Sequence, residues 1–169
     1  MKNTFYISCP CDTYSGYGAR ARDYVRSVIE SNKYEVKIIP QRWGATPTGF
    51  IKDHQEDWGF LEPHIICLEN NQLPSQPDIW CQITVPNEFQ KVGKYNIGIT
   101  AGMETTMVSP EWLQGVNRMD LVIVPSEHAK KVFEESKYQG KDPNTQQVTS
   151  ELMLSTKIEV LFEGLDLSV

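Results

Sequence analysis

No stretch of the sequence approaches the ~20 consecutive apolar residues that a bilayer-spanning helix needs, and the mean hydropathy is -0.40. A membrane span is not expected. The opening residues, Met1-Lys2-Asn3-Thr4-Phe5-Tyr6-Ile7-Ser8, hold neither a long apolar core nor a small-residue cleavage site, so they do not read as a secretory signal. Basic charge is in deficit: 16 Lys and Arg stand against 22 Asp and Glu, for a net charge of -6. That balance argues against nucleic acid or an anionic membrane as the main partner. Neither half is an arm or a tail, since residues 1–85 carry 8 basic and 10 acidic side chains and residues 86–169 carry 8 and 12.

Cysteine is sparse, and the four residues (Cys9, Cys11, Cys67, Cys81) form one C-x-C pair and two isolated positions. Structural zinc sites use two paired knuckles. Reduced, buried thiols in a cytoplasmic protein are therefore expected, with no metal. Only three histidines occur (His54, His64, His128), and no serine, cysteine or histidine grouping suggests a nucleophilic triad. Repeats and low-complexity tracts are absent. A chain of 169 residues suits a single domain with a sizeable core.

Strand and helix signals alternate along the chain. Thr4–Ser8 reads as a strand, followed by a loop over Cys9–Gly18 and a helix over Ala19–Ser31, where Tyr24, Val25, Val28 and Ile29 form an apolar stripe. Tyr34–Ile39 is a β-branched strand ended by Pro40. Residues 41–76 are harder to read, with a short helix expected around Ile51–Trp58 and a strand at His64–Leu68. Strands follow at Asp78–Val85, Tyr95–Thr100 and Asp120–Pro125. Ser109-Pro110-Glu111 has the cap, first-turn proline and acid of a helix start, and Ser126 caps another helix reaching about Lys137. Gln139–Ser155 is polar and loop-like, and Lys157–Phe162 is the last strand. The expected fold is α/β: a Rossmann-like layered domain with a mostly parallel sheet. Ligands of such sheets bind beyond the carboxyl ends of the strands. The loops to watch are Cys9–Gly18, Gln41–Gly49, Pro86–Gly93, Ala101–Ser109 and Ser126–Glu127.

Gly16-Tyr17-Gly18-Ala19-Arg20-Ala21 satisfies G-x-G-x-x-A, a pattern whose glycines admit a pyrophosphate to a helix N-terminus. Three readings follow. A dinucleotide-binding domain would place the motif directly after the strand, yet Cys9–Ser15 intervenes. It would also end the second strand on an acid, where Pro40-Gln41-Arg42 stands instead; Arg42 suits a 2′-phosphate. The second reading is a cradle for another phosphate, such as a nucleotide-sugar diphosphate. The third is a turn that simply needs glycine. Arg20 and Arg22 fall near enough to meet a phosphate, against the alternative of a solvated helix face.

The most specific stretch is Tyr95–Tyr138. A strand ending in Gly98-Ile99-Thr100 leads to Met103-Glu104-Thr105-Thr106, Pro110-Glu111-Trp112 and Asn117-Arg118-Met119-Asp120. Val124-Pro125-Ser126-Glu127 then opens a helix with Lys130, Lys131, Val132 and Phe133. Together with the Gly16–Gly18 loop and Val160-Leu161-Phe162-Glu163-Gly164-Leu165-Asp166, this resembles the amino-terminal domain of GT-B glycosyltransferases of the large retaining family, and its wording is similar to enzymes of large-tailed bacteriophages. The resemblance implies two Rossmann-like domains across a cleft, the amino-terminal one holding the acceptor. The chain would supply that half, with the nucleotide-sugar domain lying beyond it.

By motif, the resemblance carries Gly16, Tyr17 and Gly18 to the donor-phosphate loop, which Arg20 joins by its position near the glycines. It carries Glu104, Thr105, Thr106, Ser126 and Glu127 to the cleft edge. No histidine falls at the cleft position many members fill; the comparable loop reads Thr100-Ala101-Gly102-Met103-Glu104. Glu104 is the candidate to orient or deprotonate an acceptor hydroxyl, against a bland role as a cap. Trp43 and Tyr17 are placed to stack on a sugar or base. Thr105 and Thr106 compete with ordinary loop hydrogen bonding. Trp80 and Trp112 read as core, His64 as structural, and His128 as exposed on its helix. The expected reaction is sugar transfer from a nucleotide-sugar, used as substrate with no cofactor, to an acceptor hydroxyl on a glycan or other molecule. A non-catalytic glycan- or protein-binding half-domain is the alternative, and an NAD(P)-binding Rossmann domain the third.

Overall fold

The computed structural model describes residues 2–70, 72–101 and 105–164. The elements are β1 (Asn3–Cys9), α1 (Gly16–Glu30), β2 (Tyr34–Pro40), α2 (Phe50–Asp53), α3 (Gln55–Trp58) and a 3-10 segment, Gly59–His64. Then come β3 (Ile79–Ile83), a 3-10 turn at Pro86–Glu88, β4 (Tyr95–Ile99), α4 (Pro110–Val116), β5 (Leu121–Val124) and α5 (Glu127–Glu135). β6 (Tyr138–Lys141), β7 (Val148–Leu152) and β8 (Lys157–Val160) close the order. The fold is α/β, as expected: six strands form a mostly parallel sheet in the order β2-β1-β3-β4-β5-β8. β1 runs parallel to both β2 and β3, and β5 runs parallel to β8. No helix among the described residues is long and apolar enough to cross a membrane.

The strand expected at His64–Leu68 is reduced to a stub: Ile65 forms one parallel bridge to Ile38, and the Ile66 N–H donates to the Ile38 carbonyl at 2.9 Å. Counted as a strand outside β2, it makes seven strands in the order 3-2-1-4-5-6-7, the doubly wound 3-2-1-4-5-6 pattern with β8 added at its edge, which reverses between β1 and β3. That reversal is where such sheets open a crevice.

The chain divides into two compact units, Met1–Thr84 with Lys91–Ile97 and Val85–Gln90 with Gly98–Val169. In the first, β1 buries Phe5, Ile7 and Cys9, while α1 buries Ala21, Arg22 and Val25. Tyr24 hydrogen-bonds Cys81 of β3, joining α1 to the sheet. Asp78 ties strand starts together by accepting from the Thr4 N–H and hydroxyl and from Lys94 Nζ at 2.7 Å.

In the second unit, both expected caps form: Ser109 Oγ accepts the Trp112 N–H and Ser126 Oγ accepts the Ala129 N–H. α4 buries Leu113 and Val116; α5 buries Ala129, Val132 and Phe133. α5 stops at Glu135, short of Lys137, because Ser136 turns extended. Its hydroxyl donates to the Val132 carbonyl and accepts the Val108 N–H. The polar stretch read as a loop is instead an antiparallel hairpin of β6 and β7, so Gly140 lies in a strand. The hairpin is exposed on both faces and so shows no apolar alternation. Asp142 organises its turn, one carboxylate oxygen accepting the Asn144 and Thr145 N–H groups at 2.8 Å each.

Candidate functional site

The reversal of strand order lies in the first unit, beyond the carboxyl ends of β1 and β3, and the Pro10–Ser15 loop and α1 stand over it. Ser8 and Gln82 are register partners there, both almost fully buried. Gln41 Nε2 donates to Ser8 Oγ, and the Gln41 N–H reaches the Cys9 carbonyl at 2.8 Å. The end of β2 thus presents an amide and the exposed Arg42, with no carboxylate for a ribose.

α1 begins earlier than expected, at Gly16 rather than Ala19, because Ser15 is its cap and accepts the Gly18 N–H at 2.9 Å. Both motif glycines therefore belong to the first helical turn. They differ sharply. A Cβ on Gly18 would sit 2.4 Å from the Thr13 carbonyl oxygen, so the fold itself requires glycine there. A Cβ on Gly16 would meet nothing within 4 Å, and its φ is not left-handed. The first turn of α1 carries no acidic side chain, which leaves the positive helix end without internal neutralisation. Arg20 lies on this helix, partly exposed.

Trp43 and Tyr17, both expected to stack on a sugar or base, instead stack on each other, with ring centroids 4.0 Å apart and planes at 25°. Arg22 is not a phosphate ligand. It is 4% exposed and donates through Nη1 to the Cys11 and Thr13 carbonyls at 2.9 Å each, holding the loop shape. Its guanidinium lies 3.4 Å from the Phe50 ring centroid, a cation–π contact. Burial pulls its pKa below the ordinary arginine value.

Sequence reasoning passed over Asp12. Its carboxylate accepts the Gly49 N–H at 3.0 Å and the Ile51 N–H at 2.9 Å, and its carbonyl accepts the Gly49 and Phe50 N–H groups. The residue preceding α2 is Gly49, which has no capping side chain. That missing local cap was the available signal for a remote one. Tyr14 adds a second tie, its hydroxyl 2.6 Å from Asp53 Oδ2; the bond to a carboxylate raises the phenol's pKa.

All four cysteines are free thiols, with Cys9, Cys11 and Cys81 buried; Cys67, contrary to expectation, is exposed because it sits in the irregular stretch after the Ile65 stub. Burial pushes the Cys81 thiol up to about 12. Hydrogen bonding to Cys11 is the main cause of the raised Cys9 pKa. Among the described residues, no three His, Cys, Asp or Glu side chains gather to hold a metal ion.

In the second unit, the Thr105 carbonyl stands 3.3 Å from His128 Nε2, which brings the expected cleft-edge loop to the start of α5. The Thr105 hydroxyl donates to the Met107 carbonyl at 3.1 Å, a local bond; Thr106 is exposed. Ser126 spends its hydroxyl on the Ala129 N–H, and Glu127 opens α5 as an exposed acid. Glu104 lies outside the described residues. Arg118 Nη2 donates to the Asn87 carbonyl at 2.8 Å. Compared with known proteins, the chain matches no protein-family model, no curated protein and no solved structure.

Proposed function

We propose that this chain is the acceptor-side half of a GT-B-type glycosyltransferase, moving a sugar from a nucleotide-sugar to an acceptor hydroxyl. The observation that carries the reading is Gly16. It is a glycine that the fold does not need, at the first position of a helix with no acid in its first turn, beside the strand-order reversal where such sheets receive ligands. A diphosphate approaching α1 would pass where a side chain at position 16 would project. In the transfer, the bond from the sugar's anomeric carbon to the diphosphate breaks, a bond to the acceptor oxygen forms, and the acceptor proton leaves. Glu104 is the candidate to orient that hydroxyl or take its proton. Thr105, Thr106, Ser126 and Glu127 are the candidate acceptor edge, and retention of configuration follows the family resemblance. A cytoplasmic site of action fits a nucleotide-sugar donor and four free thiols.

The test is titration with UDP-glucose and GDP-mannose, followed by turnover assays with the full gene product. Binding is expected in the full gene product, and Gly16→Val should weaken it at least tenfold while leaving the melting temperature unchanged. Binding without transfer by the full gene product would identify a non-catalytic recognition module. Failure to bind either nucleotide-sugar, with tight binding of NADPH, would replace the transferase with an oxidoreductase.

A further inference from the structure

In the second unit, the loop at Thr105–Met107 and the first turn of α5 meet through a single side chain, His128. The polar groups around that contact differ in what they have left to offer a substrate. The Ser126 hydroxyl is committed to the Ala129 N–H, and the Thr105 hydroxyl to the Met107 carbonyl. Thr106 and Glu127 are exposed, one a hydroxyl and the other a carboxylate. Neither group is suited to take a proton near neutral pH: a hydroxyl does not hold one, and an ionised carboxylate is a weak base there. Histidine takes up and returns a proton in that range.

The way His128 is held sets it apart. Its backbone is fixed in the first turn of α5, where Ser126 accepts the Ala129 N–H through its hydroxyl and the Lys130 N–H through its carbonyl. The residue is exposed, and its Nε2 stands 3.3 Å from the Thr105 carbonyl oxygen. A carbonyl only accepts, so Nε2 is the donor in that contact and Nδ1 carries the lone pair. Among the described residues, no hydrogen bond reaches Nδ1. The imidazole is therefore oriented through one nitrogen and basic at the other. A general base works in that arrangement, one neighbour holding the ring while the opposite nitrogen meets the substrate's proton.

We propose that His128 is the general base of the transfer, its Nδ1 taking the proton of the acceptor hydroxyl while the Thr105 carbonyl holds the ring through Nε2–H. The assignment rests on the transferase reading above and divides the work left open there: His128 takes the proton, and Glu104 is left to orient the hydroxyl. As the bond from the anomeric carbon to the diphosphate breaks, its electron pair leaves with the diphosphate. The acceptor oxygen bonds to that carbon, and the hydroxyl proton passes to Nδ1. The resulting imidazolium spreads its charge over two N–H groups, one of which already faces a carbonyl. The exposed ring then gives the proton to solvent, which readies it for the next turnover.

The test follows release of UDP from UDP-glucose and of GDP from GDP-mannose by the full gene product, with water as the acceptor. His128→Ala should lower kcat by ~100-fold or more, the scale that a general base supplies. KM for the nucleotide-sugar and the melting temperature should stay unchanged, and added imidazole should restore much of the lost rate. His128→Gln separates a base from a prop, because its amide N–H still reaches toward the Thr105 carbonyl but brings no basic nitrogen. It should be as slow as His128→Ala. A His128→Gln protein with the wild-type kcat would show that the side chain only holds the loop, and would overturn the proposal. So would a loss in His128→Ala that appears in KM alone or that imidazole fails to rescue. If the wild type turns over neither nucleotide-sugar, the transferase reading falls and the role of His128 falls with it. Turnover that survives His128→Gln removes His128 alone.

Discussion

Gly16 and Gly18 stand two residues apart in one helical turn and obey opposite constraints. An alanine at position 18 would press its Cβ to 2.4 Å from the Thr13 carbonyl and 2.7 Å from the Thr13 hydroxyl, atoms already engaged with Pro10 and Arg22. Overpacking of that kind costs about 1–3 kcal/mol, so Gly18→Ala should lower the urea midpoint clearly. Gly16→Ala meets open space and limits the unfolded chain, and should be neutral or stabilising by up to about 0.5–1 kcal/mol. Comparable losses from both substitutions would show that the helix start is built differently. The same pair marks how far the candidate site could be read from sequence. The motif located the right turn, yet it could not separate the glycine that the loop demands from the one left open to solvent. Arg22 misled for a similar reason: spacing places it near a phosphate position, while only the folded loop supplies the two carbonyls that claim it.

At the scale of elements, α4 depends on a second close approach. A Cβ on Gly115 would lie 1.9 Å from the carbonyl oxygen of Pro86, a backbone atom of the 3-10 turn that α4 packs against. Alanine's better helix propensity, about 1 kcal/mol, is outweighed by displacing that turn. Gly115→Ala should therefore destabilise by about 2 kcal/mol or more, read as a fall in urea midpoint with a change in the near-UV signal of Trp112. An unchanged midpoint would mean that the turn yields freely. This helix was legible because its start is written locally, in Ser109-Pro110-Glu111. So was α5, whose inward residues recur at helical spacing. The short helix expected around Ile51–Trp58 falls on α2 and α3, broken between them at His54; what was not legible is that Asp12, Tyr14 and Arg22 hold that segment from elsewhere in the chain. The β6–β7 hairpin escaped because its strands bury no continuous face. Its best signal was the turn sequence Asp142-Pro143-Asn144. Asp142→Ala removes two backbone partners and should loosen the hairpin amides in hydrogen exchange while leaving the global midpoint within ~0.5 kcal/mol.

For the molecule as a whole, the titrating groups set a stability plateau with an edge on each side. On the acid side, Asp78 is held down to about 2, chiefly by its bond with Lys94 and then by the Thr4 N–H and hydroxyl. A depressed carboxylate adds stability above its unfolded pKa of ~3.9 and loses it as pH falls toward the folded value, so this contribution disappears between about pH 4 and 2. On the alkaline side the sign reverses. Burial pushes Cys81 up to about 12 and also raises Tyr24. In the unfolded chain the thiol ionises near ~8.5, while the folded thiol stays neutral. Stability is therefore full below about pH 8.5 and drains away as the pH climbs toward 12. Urea midpoints measured at pH 2.5, 4, 7, 9 and 10.5 should trace this plateau. Asp78→Asn should flatten the acid edge, and Cys81→Ala should flatten the alkaline edge even though the cavity it leaves lowers the midpoint at every pH. The slope carries the inference. A Cys81→Ala protein that declines between pH 9 and 10.5 as steeply as the wild type would place the alkaline edge on Tyr24 and Cys9, the other groups held neutral above their ordinary range.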